Sequence, residues 1–237
     1  MIEYLVETNG LAVMRGSRKV IHSLDLTITD GEWFGLIGAN GSGKTSLLRA
    51  ITGRLPIAAG SCRIKGIELQ NSRFERAKIL EFAPPQETLP ASLSSEQIFE
   101  MLDPEWRQNL GPLFDILGLE RFYKQAVRTY SAGMKQRTTI ACAFARGMDA
   151  VVLDEPFNWL DPLAAYDLRE ALREWVTPDR CLITALHDTS TLINCCDRGT
   201  LLANGDVVFN IDAAELEKAQ SNPNTFESEM IARLRSL

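Results

Sequence analysis

Apolar residues along the chain fall into short blocks at two spacings, and the spacings predict the elements. Residues 2–35 carry alternating or β-rich pieces. Leu24-Asp25-Leu26-Thr27-Ile28-Thr29 is the clearest, apolar at every second position as in a strand with one buried face, and Asp30-Gly31 follows as a turn. Trp33-Phe34-Gly35-Leu36-Ile37 is continuously apolar, which predicts a strand buried on both faces. Gly60-Ser61-Cys62-Arg63-Ile64 and Ile67-Glu68-Leu69 flank Lys65-Gly66 and predict a small hairpin. A strand is expected at 79–83, stopped by Pro84-Pro85. Across 92–130 the spacing becomes helical. Ser94-Ser95-Glu96-Gln97 has the form of a capping box ahead of Ile98, Phe99, Met101 and Leu102. Asp103-Pro104 opens a second helix, which Gly118 ends.

From residue 134 onward helix and strand alternate. The pattern predicts a helix over 135–146 closed by Gly147, a strand over 150–153, and a helix over 162–176 with Leu163, Tyr166, Leu168, Leu172 and Trp175 apolar. Strands at 181–186 and 200–202 follow. Such alternation implies an α/β fold with a mostly parallel sheet covered on both faces. Residues 226–237 place Phe226, Met230, Leu234 and Leu237 on one side, as in a helix packed on the same core.

Composition narrows the function classes. The 237 residues are 45% hydrophobic and 24% charged, enough for one globular domain with a sizeable core. A net charge of −6 argues against a general nucleic-acid surface. No run of 18 apolar residues exists, so no span is expected, and Met1-Ile2-Glu3-Tyr4 lacks the basic and apolar pattern of a signal peptide, which predicts a cytosolic chain. Cys62, Cys142, Cys181, Cys195 and Cys196 are scattered with no C-x-x-C and read as reduced packing residues. With His22 and His187 the only histidines, the sequence argues against a zinc site.

The candidate chemistry starts at Gly38-Ala39-Asn40-Gly41-Ser42-Gly43-Lys44-Thr45, which reads G-x-x-x-x-G-K-T between the predicted strand at 33–37 and a helix running from Ser46 to near Gly53. Glycines let the backbone curl so that successive amides face one anion, and the helix N-terminus adds its dipole. Lys44 suits the β- and γ-phosphates of a nucleotide and the Thr45 hydroxyl suits Mg²⁺. The strand 150–153 ends in two carboxylates. Asp154 can serve the metal, through water, and Glu155 can polarise an attacking water.

These motifs bring in a family. Over nearly its whole length the chain resembles the ATP-binding subunit of ABC transporters. Tyr130-Ser131-Ala132-Gly133-Met134-Lys135-Gln136-Arg137 is similar to the family signature, usually written L-S-G-G-Q, and Glu155-Pro156-Phe157-Asn158-Trp159-Leu160-Asp161-Pro162 resembles its E-P-T-N-G-L-D-P segment. Gln86 matches the Q-loop glutamine, His187 the switch histidine and Asp161 the D-loop acid. The resemblance implies a nucleotide core over about 1–86 and 135–212 with an N-terminal antiparallel β-subdomain, a helical subdomain over 87–134 and a helical tail over 213–237. It implies that Gln86 touches Mg²⁺ and transmits strain to a membrane permease subunit, and that His187 contacts the γ-phosphate. It also places the dock for a cytoplasmic helix of that permease on the helical segment 92–118 with the loop around Gln86, where exposed apolar side chains such as Phe99 or Trp106 are expected. Ser131 and Gly133 then cap the ATP of a second ATP-binding subunit in a head-to-tail dimer. The protein would sit on the inner face of the plasma membrane through its permease partner.

Departures from the family pattern carry information. Ala132 replaces the first signature glycine and Met134 the glutamine, a form that resembles subunits of drug, lipid or polysaccharide exporters. Trp159 stands where a glycine is usual, either at the dimer seam or against the neighbouring helix. Arg15 aligns with the tyrosine on which the family stacks adenine, and no Phe, Trp or Tyr lies between Leu5 and Asp30. Either the Arg15 guanidinium lies on the base or it points into solvent. Two rival functions are a non-transport member of the family and a module that holds nucleotide without turnover. The single core without heptads or cysteine ligands argues against the first, and the presence of Glu155 and His187 argues against the second.

Overall fold

The computed structural model describes residues 4–235. In chain order the elements are β1 (Tyr4–Arg15), β2 (Arg18–Thr29), β3 (Trp33–Ile37), α1 (Lys44–Ile51), β4 (Ala59–Ile64), β5 (Ile67–Glu68), α2 (Arg73–Ile79), β6 (Glu81–Phe82), α3 (Ser95–Leu102), α4 (Trp106–Leu110) and α5 (Leu113–Ile116). There follow α6 (Ala132–Phe144), β7 (Ala150–Asp154), α7 (Pro162–Trp175), β8 (Cys181–Leu186), α8 (Thr189–Cys195), β9 (Arg198–Ala203), β10 (Asp206–Ile211), α9 (Ala213–Ser221) and α10 (Pro223–Arg235).

The strands form two sheets. The larger has the order β10-β9-β3-β8-β7-β6 and is parallel except for the antiparallel β9–β10 pair. Its central strands β3, β7 and β8 are apolar at nearly every position, Thr184 and the terminal Asp154 being the polar ones, because each face meets its own core. Trp33, Val151, Leu153, Leu182 and Leu186 point to one cluster, and Phe34, Leu36, Val152, Ile183 and Ala185 to the other. The smaller sheet, β2-β1-β4-β5, is antiparallel, and α1 is buried with it and the larger sheet through Leu47, Leu48, Ala50 and Ile51. The β4–β5 hairpin turns at Lys65 (φ 48°) and Gly66 (φ 76°), the left-handed pair a two-residue turn requires. On the first cluster's side, α3–α5 pack with α6–α8 into one continuous core.

Several expectations are corrected. Only Glu81–Phe82 of the 79–83 stretch is strand, because α2, which the pattern did not reveal, runs to Ile79. Gly111 (φ 49°) and Pro112 break the helix expected from 103 to 118 into α4 and α5. The helix expected at 135 starts at Ala132, capped by Ser131, whose Oγ accepts from the Met134 amide at 3.2 Å. The capping box at Ser94 and Gln97 forms as read. On α7, Leu163 and Tyr166 face outward, 69% and 54% exposed, while Leu168 and Leu172 are buried. Phe226 and Met230 of α10 are buried on the common core, and Leu237 lies outside the described residues.

One buried charge holds α2 in place. Arg76 is 0% exposed, and its guanidinium donates to the carbonyls of Ala50 (3.1 Å), Leu69 and Gln70 (2.6 Å), tying α2 to the end of α1 and to the segment that follows β5.

Candidate functional site: a phosphate loop between two clefts

The loop from Gly38 to Gly43 joins the buried end of β3 to α1, so its position is fixed by the sheet. A Cβ on Gly38 would collide with the Leu202 carbonyl, and one on Gly43 (φ 111°) would lie 2.7 Å from Ile21 Cδ1 and 3.0 Å from the Val20 oxygen. Glycine is required here by space and by dihedral together. Lys44 folds back over the loop, with Nζ donating to the Gly38 carbonyl at 2.6 Å and the Ala39 carbonyl at 3.3 Å. Burial lowers its pKa, and the nearby carboxylates Glu155 and Asp154 oppose that shift.

Asp154 closes β7 beside the Thr45 hydroxyl. Burial raises its pKa and the hydroxyl's hydrogen bond lowers it. Two buried side-chain oxygens have no hydrogen-bond partner, Asp154 Oδ1 and Ser42 Oγ. Unpaired buried polar atoms are costly, and here they border the loop, which suits a cation at the Asp154 oxygen and a phosphate oxygen accepting from the Ser42 hydroxyl. No group of three or more His, Cys, Asp or Glu residues is placed to hold a metal among the described residues. Thr45 and Asp154 therefore fit an ion that takes its remaining oxygens from phosphate and water, as Mg²⁺ does.

Glu155 adopts a left-handed conformation (φ 55°), pinned by its amide donating to the Ala185 carbonyl at 3.1 Å. That kink turns its carboxylate toward the loop. Oε2 lies 2.6 Å from His187 Nε2 and accepts from Asn158 Nδ2 at 2.9 Å, and Oε1 is 3.9 Å from Lys44 Nζ. His187 thus meets Glu155. Gln86 Nε2 donates to Gln136 Oε1 at 2.6 Å, and Gln136 Nε2 donates to the carbonyls of Pro156 (3.0 Å) and Glu155 (3.3 Å). Gln136 and Asn158 were not singled out from sequence, although both lie inside quoted motifs. Their partners are distant in the chain or depend on the Glu155 kink.

Two clefts flank the loop. One, of about 430 Å³, brings together Thr45, Gln86, Gln136, Asp154, Glu155 and Trp159. The other, of about 640 Å³, is lined by Asn40, Gly41, Ser42, Gly43, Lys44, Thr45, Ser46 and Glu155, and by Arg15, Arg18, Lys19, His22 and Asn204. Arg15 is exposed at the tip of the β1–β2 hairpin, paired in register with Arg18.

Ser131, Gly133 and Asp161 line neither cleft. Ser131 and Gly133 border a third cavity of about 360 Å³ with Arg121, Gln125, Arg137 and Trp159. A Cβ on Gly133 would lie 2.9 Å from the Trp159 carbonyl oxygen. Asp161 caps α7, accepting from the Ala164 amide at 3.0 Å, and lies 3.3 Å from Arg137 Nη2. The amide bond, more than the arginine, keeps its carboxyl below the ordinary range. The Trp159 ring is 70% exposed, so it does not pack on the neighbouring helix, whereas Phe157 packs against the core.

A glycine-rich loop from a parallel strand into a helix, with a buried Asp-Glu pair at the end of a nearby strand, defines a phosphate-loop nucleoside triphosphatase. The family profile described as ABC transporter matches residues 21–158. The chain belongs to that family, as an ATP-binding, ATP-hydrolysing subunit. An uncharacterised ABC transporter ATP-binding protein of Bacillus subtilis strain 168 is 30% identical over 213 residues, 87% of this chain and 69% of the relative. A lantibiotic transport ATP-binding protein of Streptococcus pyogenes is 27% identical, covering 94% of this chain and 99% of the relative. A solved ATP-binding subunit of an ABC transporter superposes with a TM-score of 0.84 at 26% identity, covering 98% of this chain and 99% of that one. No helix among the described residues is long and apolar enough to cross a membrane.

Proposed function

We propose that the chain hydrolyses ATP with Mg²⁺ to drive export of a substrate through a separate integral membrane subunit, working as a head-to-tail pair of ATP-binding subunits on the cytoplasmic face of the plasma membrane. The observation that carries the hydrolytic part is the convergence of Thr45, Asp154, Gln86 and Glu155 on one cleft in front of Lys44. Thr45 and Asp154 hold the metal, with Gln86 at its edge. Bound there, Mg²⁺ supplies neutralisation of phosphate charge. Lys44 exchanges its loop carbonyls for phosphate oxygens. Glu155 orients water, while His187 and Asn158 fix the carboxylate. Ser131 and Gly133, away from this chain's own loop, suit the ATP of a second subunit, with Asp161 bracing the turn between. Export follows from the signature form and from the transport named for the streptococcal relative. The division into a core at 1–86 and 135–212, an insertion at 87–134 and a tail at 213–237 belongs to the same reading.

The membrane subunit docks in the groove between β6 and α3, lined by Arg54, Leu55, Phe82, Leu89, Ile98 and Leu102. Phe99 and Trp106, the side chains expected at that surface from sequence, are buried in the core, and Met101 and Leu102 are exposed instead. Leu102→Glu should leave Mg²⁺-dependent ATPase of the isolated chain unchanged and abolish transport by the complex reconstituted with its membrane subunit. Transport at the parental rate would remove the groove from the proposal, and a chain that does not hydrolyse ATP would remove the mechanism.

The base subsite carries a second prediction. Arg15 aligns with the stacking tyrosine and is exposed there; a guanidinium laid on the base contributes only about 0.5–1 kcal/mol and one turned to solvent nothing, against about 1–3 kcal/mol for aromatic stacking. Arg15→Tyr should bind ATP more tightly than the parent. The parent should prefer ATP over GTP by less than about 100-fold, about 2.7 kcal/mol, in competition against a fluorescent nucleotide. A larger preference would contradict this account of Arg15.

A further inference from the structure

We propose that His22 is the platform for the nucleobase. The inference rests on the reading of the phosphate loop as the nucleotide site and adds a residue that no family motif assigns. The cleft of about 640 Å³ that opens from the loop has the loop at one end and Arg15, Arg18, Lys19, His22 and Asn204 at the other. No Phe, Tyr or Trp is among its lining residues, so the His22 imidazole is the one ring there.

That ring is held in place. Its Nδ1 lies 2.9 Å from Asp206 Oδ2, and an ionised carboxylate only accepts, so the contact favours the Nδ1–H tautomer and orients the ring from the β10 side. Its backbone is held as well. The His22 amide donates to the Gly205 carbonyl at 3.1 Å, and the Gly205 amide donates to the Ser42 carbonyl at 2.9 Å. Two hydrogen bonds therefore set the distance between His22 and the phosphate loop. Asn204 (φ 51°) and Gly205 (φ 84°) form the left-handed turn that makes this possible, and a Cβ on Gly205 would lie 2.5 Å from the Val20 oxygen. The imidazole remains half-exposed, with surface free for contact. A ring oriented by a partner loses less conformational freedom on binding than the long, exposed Arg15 side chain beside it, which favours His22.

The proposal concerns the base and not the phosphates, so the test compares ATP with inorganic tripolyphosphate, each with Mg²⁺, by calorimetry on the purified chain. The parent should bind ATP more tightly than tripolyphosphate. His22→Ala should weaken ATP binding about fivefold to tenfold, the low end of base–ring stacking, and leave tripolyphosphate binding unchanged. His22→Phe, which keeps a ring, should restore most of the difference. A His22→Ala protein with the parental ratio of the two affinities, or a parent that binds both ligands equally, would overturn the assignment while leaving the loop as the phosphate site. A parent that binds neither would overturn the reading of the loop itself.

Discussion

Glu155→Gln lowers ATP turnover by about 10²–10⁴-fold and leaves nucleotide binding intact, the loss expected when a group that positions and polarises water is neutralised. The geometry favours a clean result. Asn158 Nδ2 at 2.9 Å and His187 Nε2 at 2.6 Å both meet Oε2, so a glutamine with its carbonyl oxygen there still accepts from Asn158 and from an Nε2–H of His187. The Ala185 contact that creates the kink is made by the backbone and is untouched. What disappears is the basic oxygen and the charge facing Lys44. With hydrolysis blocked and ATP bound, the variant should run as a dimer in gel filtration with ATP and Mg²⁺, and as a smaller species without nucleotide. Hydrolysis at the parental rate would take the water-orienting role away from Glu155.

The second large effect is on stability. Arg76→Ala should destabilise the fold by about 3–5 kcal/mol, because it removes charge-assisted hydrogen bonds to the backbone and leaves a cavity in place of a fully buried side chain. The guanidinium has no carboxylate among its hydrogen-bond partners. It bonds to the backbone at Ala50, Leu69 and Gln70; the Gly53 and Ser72 amides also donate to Ala50 and Leu69, so the loss comes from the charge-assisted bonds and the vacated volume and not from orphaned carbonyls. Arg76→Lys should recover only part of the loss, since one ammonium cannot reproduce the planar fork. Urea denaturation against the exposed control Lys78→Ala, expected to be within about 0.5 kcal/mol of the parent, is the measurement. A loss below about 1 kcal/mol would show that the site closes over the vacated space and that Arg76 does not hold α2 in place.

Arg76 also marks where sequence reading stops. The strands of the large sheet were legible because each is apolar at successive positions, and the phosphate loop because its glycines and Lys44 have one well-defined use. In α2 the usual pattern is inverted. Phe74 points outward beside Lys78 while Arg76 points in, so no amphipathic face announces the helix. The same blindness affects surface and core in the helical insertion: Phe99 and Trp106 read as exposed docking residues, yet they stack on one another, ring centroids 5.2 Å apart, inside the core. In the site, Asp154 and Glu155 were legible as chemistry at the end of a strand. The Glu155–His187 and Gln86–Gln136 contacts were not, because they join residues that only the sheet order brings together.

The contact between Gly133 and the Trp159 carbonyl changes how experiments on the signature are to be interpreted. A methyl at position 133 pushes on the backbone of the 155–161 turn, and that turn carries Asn158, which holds the Glu155 carboxylate. Damage at the signature therefore propagates within the same polypeptide to its own Glu155 carboxylate, the group proposed to orient water. Activity lost in a Gly133 variant is not by itself a measure of communication between subunits. In a mixed assembly of one altered and one intact chain, the two half-sites are not cleanly separated into a broken one and a healthy one. Only a thermodynamic cycle that pairs Gly133 and Asn158 substitutions, first in one chain and then across two, assigns the coupling to its source.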